Sequence, residues 1–155
     1  MSITIGQQAP NFTLRDTEKN VVSLEDFKGK NVVILFFPLA FTGTCTKELC
    51  TIRDDISNYK NLGTDVVAIS VDSLFSLLKF KQEQDLNFTL LSDFNKVAST
   101  TYDCLFETFP NDMNGVSKRA AFVVDKNGII QYAEVLASAG DLPNFDAIKA
   151  CVASL

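Results

Sequence analysis

The sequence predicts an α/β fold in which a mixed central β-sheet is flanked by helices and preceded by an N-terminal β-hairpin. Two apolar runs, residues 31–37 (NVVILFF) and 65–71 (DVVAISV), place hydrophobic residues on both faces of a strand and predict buried central strands. A segment with the apolar spacing of a helix follows each run. Strand–turn–strand patterns near both ends of the chain complete the prediction.

The first half of the chain supplies the hairpin, the first central strand and a long helix. Residues 11–14 (NFTL) and 21–24 (VVSL) are short β-prone runs separated by the polar stretch RDTEKN, which indicates a hairpin. Pro38 is expected to end the central strand. A helix is predicted from Thr44, with Gly63 as its C-cap and one apolar stripe formed by Cys45, Leu49, Ile52, Ile56 and Tyr59.

The second half supplies the remaining sheet and three helices. After the second central strand, Asp72 or Ser73 is expected to cap a helix. The predicted elements are this helix, a short strand, a short helix, two strands joined by a tight turn and a final helix, over residues 74–84, 88–93, 95–103, 119–125 with 129–135, and 144–154. Their order predicts parallel central strands with one antiparallel edge, and it is similar to the thioredoxin-like fold.

Length and charge restrict the possible functions. The 155 residues are the size of one ordinary domain, so we expect a single domain over residues 1–155. A formal charge of −5 argues against nucleic acid or an anionic membrane as a partner. The apolar runs are too short to span a bilayer, and the N-terminus lacks the features of a signal peptide. We therefore expect a cytoplasmic protein.

Four cysteines and the absence of histidine indicate redox chemistry. The cysteines are Cys45, Cys50, Cys104 and Cys151. Their spacing matches none of the tight CxxC pairs of zinc sites, and a Cys–His hydrolase is excluded because the sequence has no histidine. We predict no metal and no other cofactor.

Cys45 lies at the predicted first turn of the long helix, directly after a central strand. A thiol in this position faces unpaired backbone N–H groups and the positive end of the helix dipole, which favour the thiolate. The alternative is that Cys45 is a small buried hydrophobic residue that merely begins the apolar stripe.

Pro38, Thr42 and Cys45 form the pattern P-x3-T-x2-C, and through this motif the chain resembles the peroxiredoxins. Arg119, just before a late strand in SKRAAFVVDKNG, matches the arginine that pairs with the thiolate in that family. The resemblance covers nearly the whole chain. It extends to two branches of the family, the bacterioferritin comigratory proteins and the alkyl hydroperoxide reductases E.

The resemblance implies a thiol-dependent peroxidase. Cys45 would be the peroxidatic nucleophile, Thr42 would hydrogen-bond the peroxide, Arg119 would stabilise the thiolate, and Pro38 would shield the pocket. The substrates would be hydrogen peroxide and organic hydroperoxides, and a thioredoxin-like or other thiol reductant would recycle the enzyme. Glu48 is expected either to orient Arg119 or to pair with Arg53 on the surface.

The role of the second cysteine is left open by the sequence. Cys50 lies five residues after Cys45, the spacing of the resolving cysteine in the bacterioferritin comigratory proteins, whereas in the other branch the peroxidatic cysteine works alone. In an intact helix the two Cα atoms would be about 8.7 Å apart, beyond the roughly 7 Å limit for a disulfide. Cys104 is expected to pack in the core, with resolution as its alternative role, and no role is assigned to Cys151.

Further alternatives concern the whole protein. A redox sensor on the same fold would pass oxidation from Cys45 to a partner protein. A thioredoxin-type oxidoreductase is disfavoured by the C-x4-C spacing, and a copper chaperone by the missing histidine ligand. The chain is expected to be a monomer or homodimer. Because it stops at Leu155, we expect no intersubunit disulfide formed by a C-terminal tail.

Overall fold

The computed structural model describes residues 2–155, which form one seven-stranded mixed β-sheet with helices on both faces. The strands are β1 (Thr13–Asp16), β2 (Val21–Ser23), β3 (Asn31–Phe36), β4 (Thr64–Ser70), β5 (Thr89–Ser92), β6 (Ala120–Val124) and β7 (Ile130–Val135). The helices are α1 (Gly43–Asn61), α2 (Leu74–Glu83), α3 (Val97–Thr101) and α4 (Phe145–Ala153), with short 3-10 helices at Leu24–Phe27 and Pro110–Asp112.

The sheet has the order β2-β1-β5-β4-β3-β6-β7. Strands β3, β4 and β5 are parallel, as predicted for the centre. The prediction of a single antiparallel edge was wrong, because antiparallel strands lie on both sides of the parallel trio. Strands β6 and β7 extend the sheet from β3, and the N-terminal hairpin joins β5 through β1. The predicted thioredoxin-like architecture with a mixed sheet and an N-terminal hairpin is confirmed.

Strand β3 has hydrophobic residues on both faces because each face is covered by a separate apolar cluster. Val33 and Leu35 face a cluster shared with α1, α2 and α4, whereas Val32 and Ile34 face a cluster that includes α3. All four side chains are buried. Burying each is expected to contribute about 1.5–3 kcal/mol. The apolar cluster beneath α1 therefore fixes the position of the first residues of this helix.

Helix α1 follows the predicted apolar stripe. Four stripe residues are buried and Ile56 is partly buried against the same cluster. The helix ends one residue before the prediction, since Leu62 is the C-cap and Gly63 takes the left-handed conformation (φ +65°) that a glycine adopts readily after a helix.

The sheet register brings two distant parts of the sequence together. Phe36, the last residue of β3, pairs with Ala120, the first residue of β6. Because β3 and β6 are antiparallel, Arg119 lies beside the segment that leads from β3 into α1. Within residues 2–155, none of the helices is long and apolar enough to cross a membrane.

Candidate active site

The loop from Pro38 to Thr42 joins β3 to α1 and is fixed by contacts with residues outside the loop. Asp72, which follows β4, accepts a hydrogen bond from the Ala40 N–H at 2.8 Å. Of the two predicted caps for α2, Ser73 is the one that caps it, since Ser73 Oγ accepts from Ser76 N–H at 3.1 Å. Phe41 has a left-handed backbone (φ +67°), and its ring packs on Phe80 of α2. The loop is thus fixed to β4 and α2.

Thr42 is the N-cap residue of α1 but does not cap the helix with its side chain. Its hydroxyl instead donates to the Leu39 carbonyl at 2.7 Å. The first helical hydrogen bond runs from Thr46 N–H to the Thr42 carbonyl. The backbone N–H groups of residues 43–45 therefore make no hydrogen bond to the Thr42 side chain. They remain at the positive end of the helix dipole.

Cys45 lies in this first turn and is 1% exposed. The Arg119 guanidinium donates from Nη1 to Cys45 Sγ at 3.3 Å. The sulfur thus lies beside a positive charge and at the positive end of the α1 dipole. Cys45 also contributes to the apolar cluster beneath α1, so the packing position and the contact with Arg119 coexist.

Glu48 lies one turn further along α1 and contacts Arg119, not Arg53. Glu48 Oε1 accepts from Arg119 Nη1 at 2.7 Å, and both side chains are buried. Burial raises the pKa of Glu48 to about 7, although the charge of Arg119 works in the opposite direction. Burial disfavours the charged form of Arg119, yet the negative charges of Glu48 and Cys45 outweigh it and hold the Arg119 pKa above its usual value.

A small cavity opens beside the sulfur. It is lined by Pro38, Thr42, Gly43, Thr44, Cys45, Phe109, Arg119 and Ala139. The three members of the sequence motif and Arg119 thus share one cavity. Three buried side-chain atoms have no hydrogen-bond partner among the described residues. They are Glu48 Oε2, Arg119 Nε and Tyr59 Oη.

Phe109 and Ala139 are absent from the sequence prediction. Ala139 offers only its backbone carbonyl, which accepts from Arg119 Nη2 at 2.8 Å. A backbone contact leaves no pattern in the sequence. Phe109 precedes Pro110 and has the extended conformation expected there, but this signal predicts a local geometry and not a position at a cavity.

Cys50 is directed away from the cavity. Its Sγ donates to Gln84 Oε1, just after α2, at 3.4 Å. Both cysteines belong to one continuous helix, so their Cα atoms are about 8.7 Å apart. Both thiols are free.

Cys104 and Cys151 lie apart from the cavity. Cys104 is buried in the cluster on the opposite face of the sheet from Cys45, and burial raises the pKa of its thiol well above the usual value. Cys151 is partly buried on α4, and its Sγ donates to the Gln131 carbonyl at 3.6 Å. Burial raises the pKa of the Cys151 thiol as well.

Residues 2–155 contain no cluster of three or more histidine, cysteine, aspartate or glutamate side chains arranged to hold a metal ion. Larger cavities lie elsewhere, including one at the other end of the sheet beside Lys30 and Val124, and their linings contain no cysteine. The small cavity at Cys45 is therefore the candidate active site.

Comparison with known proteins agrees with this geometry. The sequence profile described as the AhpC/TSA family matches residues 5–133. The chain is 41% identical over 133 residues to the chloroplastic peroxiredoxin Q of Oryza sativa subsp. japonica. The aligned region covers 84% of this chain and 58% of the rice protein. It is 38% identical over 136 residues to alkyl hydroperoxide reductase E of Mycobacterium bovis, covering 86% of each chain.

A solved structure shows the same fold at higher divergence. The reduced 2-Cys peroxiredoxin of Plasmodium vivax superposes with a TM-score of 0.83 at 28% identity, covering 96% of this chain and 79% of that one. This chain spans a little over half the length of the rice relative and most of the length of the mycobacterial one. The family profile covers most of the sequence, and the chain belongs to the AhpC/TSA family, the peroxiredoxins.

Proposed function

We propose that this chain is a thiol-dependent peroxidase that reduces hydrogen peroxide and organic hydroperoxides at Cys45. The observation that carries the proposal is the 3.3 Å contact between Arg119 Nη1 and Cys45 Sγ at the start of α1. This contact joins two residues that lie 74 positions apart in the sequence. Among the residues that line the cavity, Cys45 has the side chain that can attack a peroxide oxygen as a nucleophile.

In the first step the Cys45 thiolate attacks the terminal oxygen of ROOH. The S–O bond forms as the O–O bond breaks, sulfur is oxidised to sulfenic acid, and the RO⁻ group leaves as ROH after taking one proton. Arg119 and the N–H groups at the start of α1 stabilise the charge that moves from sulfur to the leaving oxygen.

Thr42 is suited to orient the peroxide. Its hydroxyl hydrogen is already donated to the Leu39 carbonyl, so the Thr42 oxygen is free to accept a hydrogen bond from the O–H of the peroxide. Pro38 and Phe109 form apolar walls of the same cavity and limit the access of water.

In the second step Cys50 resolves the sulfenic acid. The Cys50 sulfur attacks the Cys45 sulfur, the S–S bond forms, and the hydroxyl group leaves as water with the proton of the Cys50 thiol. About 8.7 Å between the Cα atoms in an intact helix exceeds the disulfide limit, so the first turns of α1 must unwind before this step.

A thioredoxin-like or other thiol reductant then reduces the disulfide. The reductant donates two electrons and two protons through thiol–disulfide exchange. A monomer or a homodimer can perform this cycle, since Cys45, Cys50, Thr42 and Arg119 all lie within one chain. We propose a cytoplasmic location and no nucleic-acid or membrane partner, from the charge and hydropathy of the sequence.

The test combines turnover with disulfide mapping. Wild-type protein should consume many equivalents of peroxide with a thioredoxin system, and Cys45→Ser should consume none. After one equivalent of peroxide, mass mapping should find a Cys45–Cys50 disulfide that is lost in Cys50→Ser and retained in Cys104→Ser. A single stoichiometric oxidation without turnover would contradict the peroxidase and favour a redox sensor that passes oxidation from Cys45 to a partner protein.

A further inference from the structure

The contacts of Cys50 suggest a control on the resolving step. Cys50 is partly buried between α1 and the end of α2, where its Sγ donates to the side-chain oxygen of Gln84 at 3.4 Å. Gln84 is the C-cap residue of α2. In this arrangement the thiol is hydrogen-bonded on the side of α1 that faces away from the cavity.

The same segment also holds α1 one turn beyond Cys50. The backbone carbonyl of Gln84 accepts from Arg53 Nη1 at 2.6 Å. Asn87 Nδ2 donates to the Arg53 carbonyl at 3.2 Å. Two contacts thus fix α1 at Arg53, and neither of them uses the Gln84 side chain.

These contacts divide α1 into two parts. The part from Arg53 onward is anchored by the connection between α2 and β5 and by the stripe residues Ile56 and Tyr59. The part from Gly43 to Cys50 is the part that must unwind for a Cys45–Cys50 disulfide. Cys50 can approach Cys45 only after its hydrogen bond to the Gln84 side chain is broken.

We infer that Gln84 is a positioning residue that restrains Cys50 and slows the resolving step. The inference rests on the proposed resolving role of Cys50. The sulfenic acid at Cys45 then has two fates. It forms the disulfide with Cys50 and releases water, or a second peroxide molecule oxidises it to sulfinic acid and leaves as water or an alcohol. By delaying the first fate, Gln84 increases the share of the second at high peroxide.

The size of the effect follows from the strength of one bond. A thiol is a weak donor, and a single hydrogen bond makes a modest net contribution in water. Removing the Gln84 acceptor should therefore accelerate disulfide formation by about two- to fivefold. The reaction of Cys45 with the first peroxide should not change, because Gln84 does not line the cavity at Cys45.

The experiment compares Gln84→Met with Gln82→Met, using the full chain. Methionine keeps the length of the side chain without a strong acceptor, and the Gln84 backbone carbonyl remains available to Arg53. Gln82 is exposed on the same helix and provides the matched control. Gln84→Ala is a second variant, and a thermal melt verifies that each protein is folded. Rapid quenching with an alkylating reagent, followed by mass spectrometry, measures the thiol, sulfenate, disulfide and sulfinate forms over time.

The inference predicts a two- to fivefold faster decay of sulfenate to disulfide in both Gln84 variants, less sulfinate at excess peroxide, and wild-type behaviour in Gln82→Met. Unchanged sulfenate decay in folded Gln84 variants that still form the Cys45–Cys50 disulfide would overturn the inference and leave the proposed function intact. If the wild-type protein turns over peroxide without that disulfide, the resolving role of Cys50 and this inference both fail, whereas Cys45 remains the nucleophile. If Cys45 is not oxidised at all, the proposed function itself fails.

Discussion

Arg119 Nη1 contacts both Glu48 Oε1, at 2.7 Å, and Cys45 Sγ, at 3.3 Å. One nitrogen thus connects a buried carboxylate to the sulfur. Buried ion pairs contribute little net stability, because the loss of hydration opposes the attraction between the charges. The pair in this fold is better explained by what it does to the guanidinium, which it holds in one orientation together with the Ala139 carbonyl.

The raised pKa of Glu48 predicts an unusual dependence of stability on pH. The usual value of 4.5 increases to about 7 in the folded protein through burial. Between these values the folded state keeps a proton that the unfolded state releases, so the contribution of this group to stability decreases as pH rises through this window. The free energy of unfolding should decrease by on the order of 1–3 kcal/mol from this group alone.

Urea unfolding at pH 5, 6, 7 and 8 measures this effect. Glu48→Gln, which cannot ionise, should show a flatter profile than wild type over this range. Glu83→Gln, the same change at an exposed position on α2, provides the control and should follow wild type. Parallel profiles for wild type and Glu48→Gln would show that Glu48 does not carry the effect.

Arg119→Lys should reduce the rate of peroxide reduction by roughly 10²-fold. Lysine keeps the positive charge but loses the planar fork that reaches Cys45, Glu48 and Ala139 at once. The measurement is kcat/KM for hydrogen peroxide. Arg15→Lys changes an exposed arginine on β1 and should leave the rate unchanged. Wild-type turnover in Arg119→Lys would mean that charge alone is sufficient.

Thr42→Val should lower the rate of Cys45 oxidation by about 10²-fold, and Thr42→Ser should restore most of it. Valine has the shape of threonine but cannot accept a hydrogen bond from the peroxide. Competition for peroxide with a second peroxidase measures this rate constant. Thr51→Val, which removes an exposed hydroxyl that donates to Lys47, provides the matched control. Equal rates for Thr42→Val and wild type would exclude a role for the hydroxyl.

Cys104 should be the least reactive thiol of the native protein. It is fully buried, and burial raises the pKa of its thiol, so little thiolate is present at neutral pH. A timed reaction with iodoacetamide, read by mass spectrometry, should label Cys50 and Cys151 before Cys104. In urea all four cysteines should react. Rapid labelling of Cys104 in the native protein would mean that its cluster opens.

The elements of this fold were predictable because their signals are local. The apolar stripe of α1 and the two-faced strands β3 and β4 correspond to runs of adjacent residues, and the structure has them within one or two positions. The attachment of β1 to β5 joins residues such as Arg15 and Ser92, and no local pattern encodes that pairing. This is why the second antiparallel edge was missed.

The candidate site was predictable in a different way. The motif from Pro38 to Cys45 is local, whereas Arg119 was identified through resemblance, since spacing alone does not connect it to Cys45. The sequence left the partner of Glu48 open, because a helix position three residues after Cys45 can face either inward or along the surface. The contact of Cys50 with Gln84 depends on how α1 packs against α2, and it leaves no trace in the sequence.

The start of α1 has no side-chain cap, and this feature links the proposed activity to the stability of the helix. A threonine that capped this helix would be expected to stabilise it by roughly 1 kcal/mol, but it would occupy backbone donors that the proposed reaction uses. Thr42 donates to Leu39 instead, so the turn that carries the proposed nucleophile lacks the stabilisation of a side-chain cap. A side-chain cap introduced at this position would therefore be expected to raise the melting temperature and to slow the proposed peroxide reduction, a trade-off between stability and activity within a single turn of helix.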